Sequence, residues 1–312
     1  RRAQKENRRR RQRRNPNLFQ RRIAINMRFG LIANLDRHGA NEAIESFIGW
    51  AKKNNQDVIL SDSLKIAVDE KLKFAPANEI AGNCDVVVSM GGDGTLLSTA
   101  RNVGNRGTLL LGVNLGTLGF LTQITPNEML ACLDRIIKND FEVQKRMALE
   151  ATVVGHGQKY FALNEVVVNN RPIGRMIDVL LKVNGENILT YRCDGLIIAT
   201  PTGSTGYSLS VGGPIIHPTM EAIITAPISA FSLSTRPMIL RPTDELELNV
   251  GSEHKAAALT LDGQETRELK GGDTVLVKRA GFSHNFIVFP EISFYKVCKQ
   301  KLHWGVTPTG DT

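Results

Sequence analysis

The 312-residue chain has few cysteines, few aromatic residues and no long apolar run. Its four cysteines lie far apart and form no CxxC pair, which excludes a disulfide framework and a zinc ribbon and is typical of a reduced cytosol. The six histidines are equally scattered, so we expect no structural metal site. Since no apolar stretch approaches the length of a membrane span, we expect a cytoplasmic protein with no membrane partner.

Two common phosphate-binding motifs are also absent. There is no GxGxxG fingerprint and no GxxxxGK[ST] loop, which argues against an ordinary dehydrogenase fold and against a P-loop kinase. The apolar fraction of 42% is nevertheless that of a globular protein. The length is sufficient for two domains of ordinary size.

The net charge of +8 comes from the N-terminal tail. Residues 1–22 contain ten Arg and one Lys against one Glu, a net charge of +10 that leaves −2 for the rest of the chain. Because this run has no apolar period, we expect residues 1–26 to be disordered. A basic tail can serve as a nucleic-acid-binding arm or a presequence. Since Met27 directly precedes the first predicted strand, we instead expect a non-native or upstream extension that the protein does not need, and no other contact with nucleic acid.

Residues 27–140 are predicted to form an α/β domain. Short apolar strands alternate with helices, as where Phe29–Ala33 is followed by a helix over Ala40–Asn54. Thr125–Glu128 has the capping-box pattern of a helix start. This alternation predicts a Rossmann-like parallel sheet, with a ligand crevice at the carboxyl ends of its strands.

Residues 141–284 are predicted to form an all-β domain. The apolar period changes to two after about Phe141, and the alternation is clearest in Glu245–Val250 and Thr274–Lys278. Turn signals such as Asn184-Gly185 separate the strands. We therefore expect a β-sandwich as the second domain.

A glycine-rich turn follows one strand of the predicted α/β domain. Gly91-Gly92-Asp93-Gly94-Thr95 lies between the apolar run Asp85–Met90 and a helical segment that begins at Leu96. This geometry binds phosphates, because free N–H groups and the positive end of the helix dipole face the ligand. A carboxylate there would repel a phosphate, so Asp93 either accepts a proton from a substrate hydroxyl or holds a metal that bridges phosphates. Simple capping of the helix is the alternative.

The run DGLIIATPTGSTGYSLSVGGP at residues 194–214 is the most informative of the chain. After an apolar strand come seven small, hydroxyl or turn-forming residues, Thr200 to Gly206, which bury little apolar area. We expect a loop whose hydroxyls and N–H groups contact a polar ligand, with Gly203 and Gly206 removing side-chain obstruction. The ring of Tyr207 is suited to stack on a base. An ordinary Gly/Ser surface loop is the alternative.

With both motifs considered, the chain resembles the NAD kinase family. The matching segments occur in the family's order: GGDGT at 91–95, NLGTLGFLT at 114–122, NEVVV at 164–168, DGLIIATPTGSTGYSLSVGGPI at 194–215 and LDGQ at 261–264. The resemblance covers about residues 27–304. The sequence departs from it at Gly206, where many members carry Ala.

The resemblance implies that ATP, with Mg²⁺, phosphorylates the 2′-hydroxyl of the adenosine ribose of NAD to give NADP. Residues 141–284 then form the NAD-binding domain, residues 285–312 return to pack on the first domain, and the chain assembles as a homodimer or homotetramer. Two alternatives stay open at this point. One is a lipid or sugar kinase that shares the GGDG turn, and the other is a non-catalytic dinucleotide sensor.

The resemblance also implies roles for individual residues. Asp93 matches the proton acceptor, and Gly94 lets the ribose approach. Asn164 and Glu165 match a pair that binds the nicotinamide-side ribose hydroxyls, although the start of a polar strand has the same composition. Asp194 matches a residue near the nicotinamide amide, and Arg175 and Arg192 match positions near phosphate oxygens. The alternative interpretation of the two arginines is that they are solvated surface charges. Gln264, in the LDGQ turn, is a further match. The residues that match the segment around the adenine and nicotinamide pockets are Thr205, Gly206, Tyr207, Ser208, Leu209 and Ser210.

Overall fold

The computed structural model describes residues 27–68, 71–170, 175–251 and 257–304. The predictions for residues 1–26 concern a segment outside these ranges, as do those for the last eight residues, 305–312. None of the helices in the described ranges is both long and apolar enough to cross a membrane.

The N-terminal half is a parallel sheet with helices between its strands. The strands pair in the order β3-β2-β1-β4-β5, all parallel. The last two, β4 and β5, are buried along their whole length, which explains their continuous apolar sequences. The strands are β1 (Arg28–Ala33), β2 (Asp57–Ser61), β3 (Lys73–Ala75), β4 (Val86–Gly91) and β5 (Leu109–Asn114), and the helices are α1 (Ala40–Lys53), α2 (Ala77–Asn83), α3 (Asp93–Val103) and α4 (Pro126–Ile137), with a 3-10 turn at Asp62–Leu64.

Local signals place α1, α3 and α4 where the sequence predicts them, with one difference that matters for the site, and the structure adds α2, which the sequence analysis did not predict. The predicted capping box starts α4, since the Thr125 N–H donates to Glu128 Oε2 at 2.9 Å. The third helix, however, begins at Asp93 rather than at Leu96. Gly92 is its extended N-cap residue, so the carboxylate of Asp93 lies in the first turn of the helix.

The C-terminal half consists almost entirely of antiparallel strands. Its short helical segments follow β11 and β17. The strands are β6 (Glu142–Val153), β7 (Lys159–Ala162), β8 (Glu165–Asn170), β9 (Ile177–Val183), β10 (Glu186–Cys193), β11 (Gly195–Ala199), β12 (Ile223–Ile228), β13 (Met238–Leu240), β14 (Leu246–Val250), β15 (Ala257–Leu261), β16 (Glu265–Leu269) and β17 (Thr274–Val288); the helical segments are a 3-10 turn at Gly203–Thr205, α5 (Tyr207–Ser210) and α6 (Phe294–Lys301).

Two sheets pack face to face in this half. One has the order β13-β12-β11-β8-β15-β16, and the other contains β10-β9-β14-β17, with β6 paired to β17 and β7 paired to β6. Side chains of both sheets share one apolar core, as Val168 and Leu259 of the first sheet and Leu149, Val179 and Leu248 of the second show. The expected fold class, an α/β half and an all-β sandwich, is therefore confirmed.

The long strand β17 joins the two halves into one molecule. Its first part pairs antiparallel with β14, while Asn285 and Phe286 pair in parallel with β5. A break in its register with β6 falls between Arg279 and Ser283, and such an irregularity lets one strand bend between two environments. The larger sheet consequently runs through both halves, and β17 crosses the predicted domain boundary at residue 284. Phe289, just after it, lies in the core of the first half.

Candidate active site

The carboxylate of Asp93 is held by the loop that follows β5. Its Oδ2 accepts the N–H of Phe120 at 2.8 Å. Its Oδ1 accepts the N–H groups of Leu121 and Thr122 at 3.1 and 2.9 Å, and the Thr122 hydroxyl at 2.9 Å. Four donors therefore fix the position of one half-buried carboxylate.

The loop takes this shape because of Asn114 and Gly119. The Asn114 side chain accepts the Gly116 N–H at 2.7 Å and donates to the Thr122 hydroxyl at 2.9 Å. A Cβ added at Gly119 would lie 2.0 Å from Asp93 Oδ1, so only glycine permits this approach. The NLGTLGFLT motif thus positions Asp93, a role that its sequence alone does not reveal.

Asn164 and Glu165 stand at the start of β8 with buried oxygen atoms that lack partners. Glu165 is only 5% exposed, and neither its Oε2 nor Asn164 Oδ1 has a hydrogen-bond partner in the structure. Burial, reinforced by the charge of Asp262, raises the pKa of Glu165 to about 7, while a bond from the Tyr207 N–H acts in the opposite direction. Buried polar atoms without partners are uncommon, and here they suit a ligand that brings hydroxyl donors.

Asp262, in the turn between β15 and β16, positions this pair. Its carboxylate accepts the backbone N–H groups of Leu163, Asn164 and Glu165 at 3.1, 2.7 and 3.2 Å. Its side chain is 1% exposed, and its charge is met by Arg101 Nη2 at 3.3 Å. Burial raises the pKa of Asp262, and the backbone bonds and Arg101 act against this rise. Sequence reasoning took Gln264 from the LDGQ motif and missed Asp262; the signal was the Asp-Gly pair, whose aspartate adopts a φ of 50° here.

Gln264 and Arg101 connect this turn to the glycine-rich turn in the other half. Gln264 Nε2 donates to the Gly94 carbonyl at 2.7 Å, and Arg101 Nη1 donates to Gln264 Oε1 at 3.2 Å. Arg101 belongs to α3, whose first residue is Asp93. A continuous set of contacts therefore runs from Asp93 and Gly94 to Asn164 and Glu165, across the junction of the halves.

The segment from Thr200 to Ser204 is built differently from the expectation. Thr200 Oγ1 donates to the Leu163 carbonyl at 2.6 Å, and Ser204 Oγ donates to the Pro201 carbonyl at 2.6 Å. These two hydroxyls hold the loop together, whereas Thr202 Oγ1 is buried without a hydrogen-bond partner. Contact of this segment with a ligand stays a prediction. A Cβ at Gly203 would lie 2.1 Å from the Asn164 carbonyl oxygen, so this glycine is needed for close packing against the Asn164 backbone.

The segment from Thr205 to Ser210 forms two short helical turns next to Glu165. A Cβ at Gly206 would lie 3.0 Å from Glu165 Oε2 and 3.3 Å from Asn164 Nδ2, so this glycine covers the pair. The ring of Tyr207 is 44% exposed. The other residues of the segment differ in how far they could contact a ligand. The Thr205 hydroxyl donates to the Thr202 carbonyl at 3.2 Å, and Ser208 is buried with an unpartnered Oγ. Leu209 is half-buried and Ser210 is exposed.

Arg175, Arg192 and Asp194 lie at the other end of β8. The backbone N–H of Asn170, the last residue of this strand, donates to the Asp194 carbonyl at 3.0 Å, and its Nδ2 donates to the Arg175 carbonyl at 2.8 Å. Five strand positions separate Asn170 from Glu165, which is roughly 17 Å. Arg175 and Arg192 are exposed. The structure thus does not bring these three residues together with Asp93, Asn164 and Glu165 in one chain.

Asp93 is a carboxylate fixed in the first turn of a helix after a parallel strand, and contacts of Gln264, Arg101 and Asp262 connect its turn to the unpartnered oxygens of Asn164 and Glu165. These features define a phosphotransferase that acts on a hydroxyl-bearing ligand. Comparison with known proteins gives the particular family. The family models of the ATP-NAD kinase N-terminal and C-terminal domains match residues 5–141 and 163–289. The chain belongs to the ATP-NAD kinase family, and it is an ATP-dependent kinase that converts NAD to NADP.

Individual relatives and solved structures agree with this assignment. The chain is 37% identical to the NAD kinase of Syntrophotalea carbinolica over 281 residues, which cover 89% of this chain and 99% of the relative. It is 44% identical to that of Geobacter sulfurreducens over 224 residues, 71% and 79% of the two chains. An Archaeoglobus fulgidus NAD kinase in complex with ATP matches with a TM-score of 0.73 at 26% identity, over 89% and 99% of the chains. Yeast NADH kinase complexed with NADH shares the fold, with a TM-score of 0.84 at 24% identity over 93% and 91%.

Proposed function

We propose that Asp93 accepts the proton of the 2′-hydroxyl of the adenosine ribose during phosphoryl transfer to NAD. The observation that carries this proposal is the unequal use of its two oxygens. Oδ1 accepts three hydrogen bonds, whereas Oδ2 accepts the N–H of Phe120. A carboxylate oxygen has two lone pairs, so Oδ2 keeps one for a substrate hydroxyl.

The reaction makes few covalent demands on the protein. The ribose oxygen bonds to the γ-phosphorus of ATP, the bond from that phosphorus to the β–γ bridging oxygen breaks, and ADP leaves. The hydroxyl proton goes to Asp93. Positioning and charge stabilisation supply most of the catalysis in such transfers, and the N-terminus of α3 is suited to phosphate oxygens.

Mg²⁺ enters this proposal as part of the ATP substrate. Among the described residues no three or more His, Cys, Asp or Glu side chains are grouped so that they could hold a metal ion. Both oxygens of Asp93 already accept hydrogen bonds. The residues present therefore fit an ion that is held mainly by ATP phosphates and neutralises their charge.

Asn164 and Glu165 are proposed to bind a vicinal diol of the dinucleotide ribose. Their unpartnered oxygens are acceptors for two hydroxyl groups, and Gly206 and Tyr207 lie against them. Asp262 acts as a positioning residue, because it holds the backbone of the pair without being exposed to a ligand.

We propose that Arg175, Arg192 and Asp194 contact the dinucleotide bound by a neighbouring copy of the chain, in a homodimer or homotetramer. Their distance from Glu165 along β8 supports this role. So does an apolar surface beside them: the Phe231 N–H donates to the Arg192 carbonyl at 2.8 Å, and the side chain of Phe231 is 71% exposed. Exposed apolar patches mark interaction surfaces. A cytoplasmic location is also proposed, since Cys132, Cys193 and Cys298 are buried free thiols.

The reaction is tested by incubating the protein with Mg-ATP and either NAD or an NAD analogue that lacks the adenosine 2′-hydroxyl. NAD should give NADP, and the analogue should compete with NAD without being phosphorylated. Phosphorylation of the analogue would contradict the proposed acceptor.

The subunit arrangement has its own test. If one site takes Asp93 from one chain and Arg192 from its neighbour, Asp93→Asn and Arg192→Ala remove residues that two different chains supply to that site. Mixing the two inactive variants should restore activity, because some mixed oligomers contain one intact site. If the activity of the mixture is only the sum of the activities of the two variants, all site residues act within one chain.

A further inference from the structure

Arg146 and His284 form a buried pair of nitrogen-bearing side chains outside the site described above. They face each other across β6 and β17 and are 5% and 3% exposed. Neither Arg146 Nε nor His284 Nδ1 has a hydrogen-bond partner. The guanidinium lies 5.6 Å from the ring centroid of Phe286, and the His284 ring lies 5.3 Å from that of Phe282.

No acidic side chain in the described part of the chain forms an ion pair with Arg146. Burial lowers the pKa of Arg146 to about 10 and that of His284 to about 4, and no carboxylate opposes either shift. The contact with Phe286 provides no acceptor for the N–H groups of the guanidinium. A buried guanidinium without an anionic partner is costly, and such a group calls for a ligand.

His217 brings the pair to the protein surface. Its ring is half-buried, its Nδ1 lies 2.7 Å from Thr219 Oγ1, and its pKa is lowered by burial and by the charge of Arg146. The other side of the ring contacts Phe294 and Tyr295 at the start of α6, at 5.1 and 5.7 Å between centroids. Tyr295 is 67% exposed. The three cationic or protonatable groups therefore follow one another inward from this surface.

We propose that Arg146, His284 and His217 bind a phosphoryl group at a site additional to the catalytic one. A guanidinium offers paired N–H donors that match two phosphate oxygens, and two imidazoles can donate to the third. Their contacts run to β17 and α6 rather than to Asn164 and Glu165. The phosphoryl group belongs either to free inorganic phosphate or to a nucleotide, and the two sources are separated by experiment.

The first experiment uses the full wild-type chain. The pKa of each histidine ring is measured by NMR in chloride and in phosphate at equal ionic strength. A bound phosphate anion, which is H₂PO₄⁻ in this pH range, stabilises the imidazolium form, so the pKa of His284 should rise from about 4 by at least ~1 unit in phosphate. Equal values in the two salts would overturn the proposal.

The second experiment compares thermal stability with and without phosphate in matched variants. Arg146→Met removes the buried charge, and Lys145→Met removes the exposed charge of the preceding residue. Phosphate should raise the Tm of the wild type and of Lys145→Met equally, and should raise that of Arg146→Met by less, because only the catalytic site is left to bind it. An equal rise in all three, or none in the wild type, contradicts the site. If Arg146→Met does not fold, His284→Phe replaces it.

The source of the phosphoryl group is identified by repeating the wild-type titrations with Mg-free ATP, with NADP and with acetate. A response of His284 to inorganic phosphate that is as strong as its response to either nucleotide assigns the site to free phosphate. A response to ATP or NADP that exceeds the response to inorganic phosphate assigns the site to a nucleotide. A response to acetate as strong as that to phosphate would show a general anion effect and overturn the proposal.

Discussion

The two carboxylates on either side of the site, Asp93 in the α/β half and Glu165 in the all-β half, have opposite surroundings. Asp93 accepts four hydrogen bonds from its own domain. Glu165 is buried with an unpartnered Oε2, and its pKa is raised to about 7. The first group is fixed before substrate arrives, whereas the second lacks hydrogen bonds that a ligand can supply. Environment therefore separates a proposed proton acceptor from a proposed ligand-binding group, although both are acidic side chains.

The largest effect is expected at Asp93. Asp93→Asn removes the proton acceptor, so turnover should fall by roughly 10²–10⁴-fold, the usual contribution of a general base. The structure adds a second consequence. One oxygen becomes an NH₂ donor that faces N–H groups of Phe120 or of Leu121 and Thr122, so the melting temperature should fall too. Both quantities are measured on the same preparation.

A matched variant separates the two consequences. Gly119→Ala displaces the same loop, because its Cβ would lie 2.0 Å from Asp93 Oδ1, but it keeps the carboxylate. If Asp93 is the acceptor, Asp93→Asn should lose far more turnover than Gly119→Ala at an equal loss of melting temperature. Equal losses of turnover would reduce Asp93 to a structural role.

The next-largest effects are expected at two glycines, Gly203 in the all-β half and Gly94 in the α/β half. Gly203→Val places a β-branched side chain 2.1 Å from the Asn164 carbonyl oxygen, a backbone atom that cannot rotate away. We expect the free energy of unfolding to fall by about 3 kcal/mol or more, the upper part of the range for overpacking, together with NAD affinity. Gly94→Ala is the contrast, since its Cβ would meet only the end of the Gln264 side chain at 3.4 Å. It should lower turnover at nearly unchanged stability. A stable Gly203→Val variant would contradict the packing role.

The sequence predicted the type of each half and the position of the acidic turn, because periodicity and capping are local properties. The signals at β4 and at Thr125 needed no knowledge of the rest of the chain. Partnership between distant segments is not local. Thr200 and Ser204 look ligand-facing from composition alone, yet their hydroxyls bond to the carbonyls of Leu163 and Pro201. A polar composition does not show whether the polar groups serve a ligand or the loop itself.

The same limit explains the residues that sequence reasoning missed. Asp262 lies almost a hundred residues from Asn164, and only the fold brings its carboxylate to that backbone. From the sequence, Arg101 is an ordinary arginine of a helix; its contact with Asp262 is visible only in the structure. Conversely, Asp194 directly precedes the strand that leads to the polar loop, but an extended strand carries it to the opposite end of the sheet. The individual roles of the site residues remain predictions.

The third prediction uses pH to separate Glu165 from Asp93. The folded-state pKa of Glu165, about 7, exceeds its ordinary value of 4.5, so the folded protein holds a proton that the unfolded chain releases. The stability that this proton contributes is complete below about pH 4.5 and is lost as pH rises through about 7, by at most about 1.4 kcal/mol per pH unit. NAD affinity should change in the opposite direction, because ribose hydroxyls donate to the ionised carboxylate.

Glu165→Gln is the control for this pH dependence. It cannot ionise, so its unfolding free energy should fall less steeply than that of the wild type between about pH 4.5 and 7, and its NAD affinity should be nearly flat there. Chemical denaturation and binding titrations at several pH values measure both. Parallel curves for the wild type and the variant would show that Glu165 does not titrate in this window.

The smallest effect is expected at Gly206, where many NAD kinases carry Ala. Gly206 has a φ of −95° and a ψ of −135°, outside the main α and β regions, so Gly206→Ala should gain less than the about 0.4–1 kcal/mol that a compatible replacement gains by restricting the unfolded chain. The new methyl group would lie 3.0 Å from Glu165 Oε2, and this close contact offsets part of the gain. Because the methyl also excludes water from the carboxylate, the pKa of Glu165 should rise further, and the pH midpoint of NAD affinity should move upward.

Gly49→Ala is the control: it lies in α1 with open space around its Cβ, so it should change stability without moving that midpoint. An unmoved midpoint in Gly206→Ala would mean that the ionisation of Glu165 does not govern NAD affinity, and the contrast with Asp93 would then lose its functional meaning.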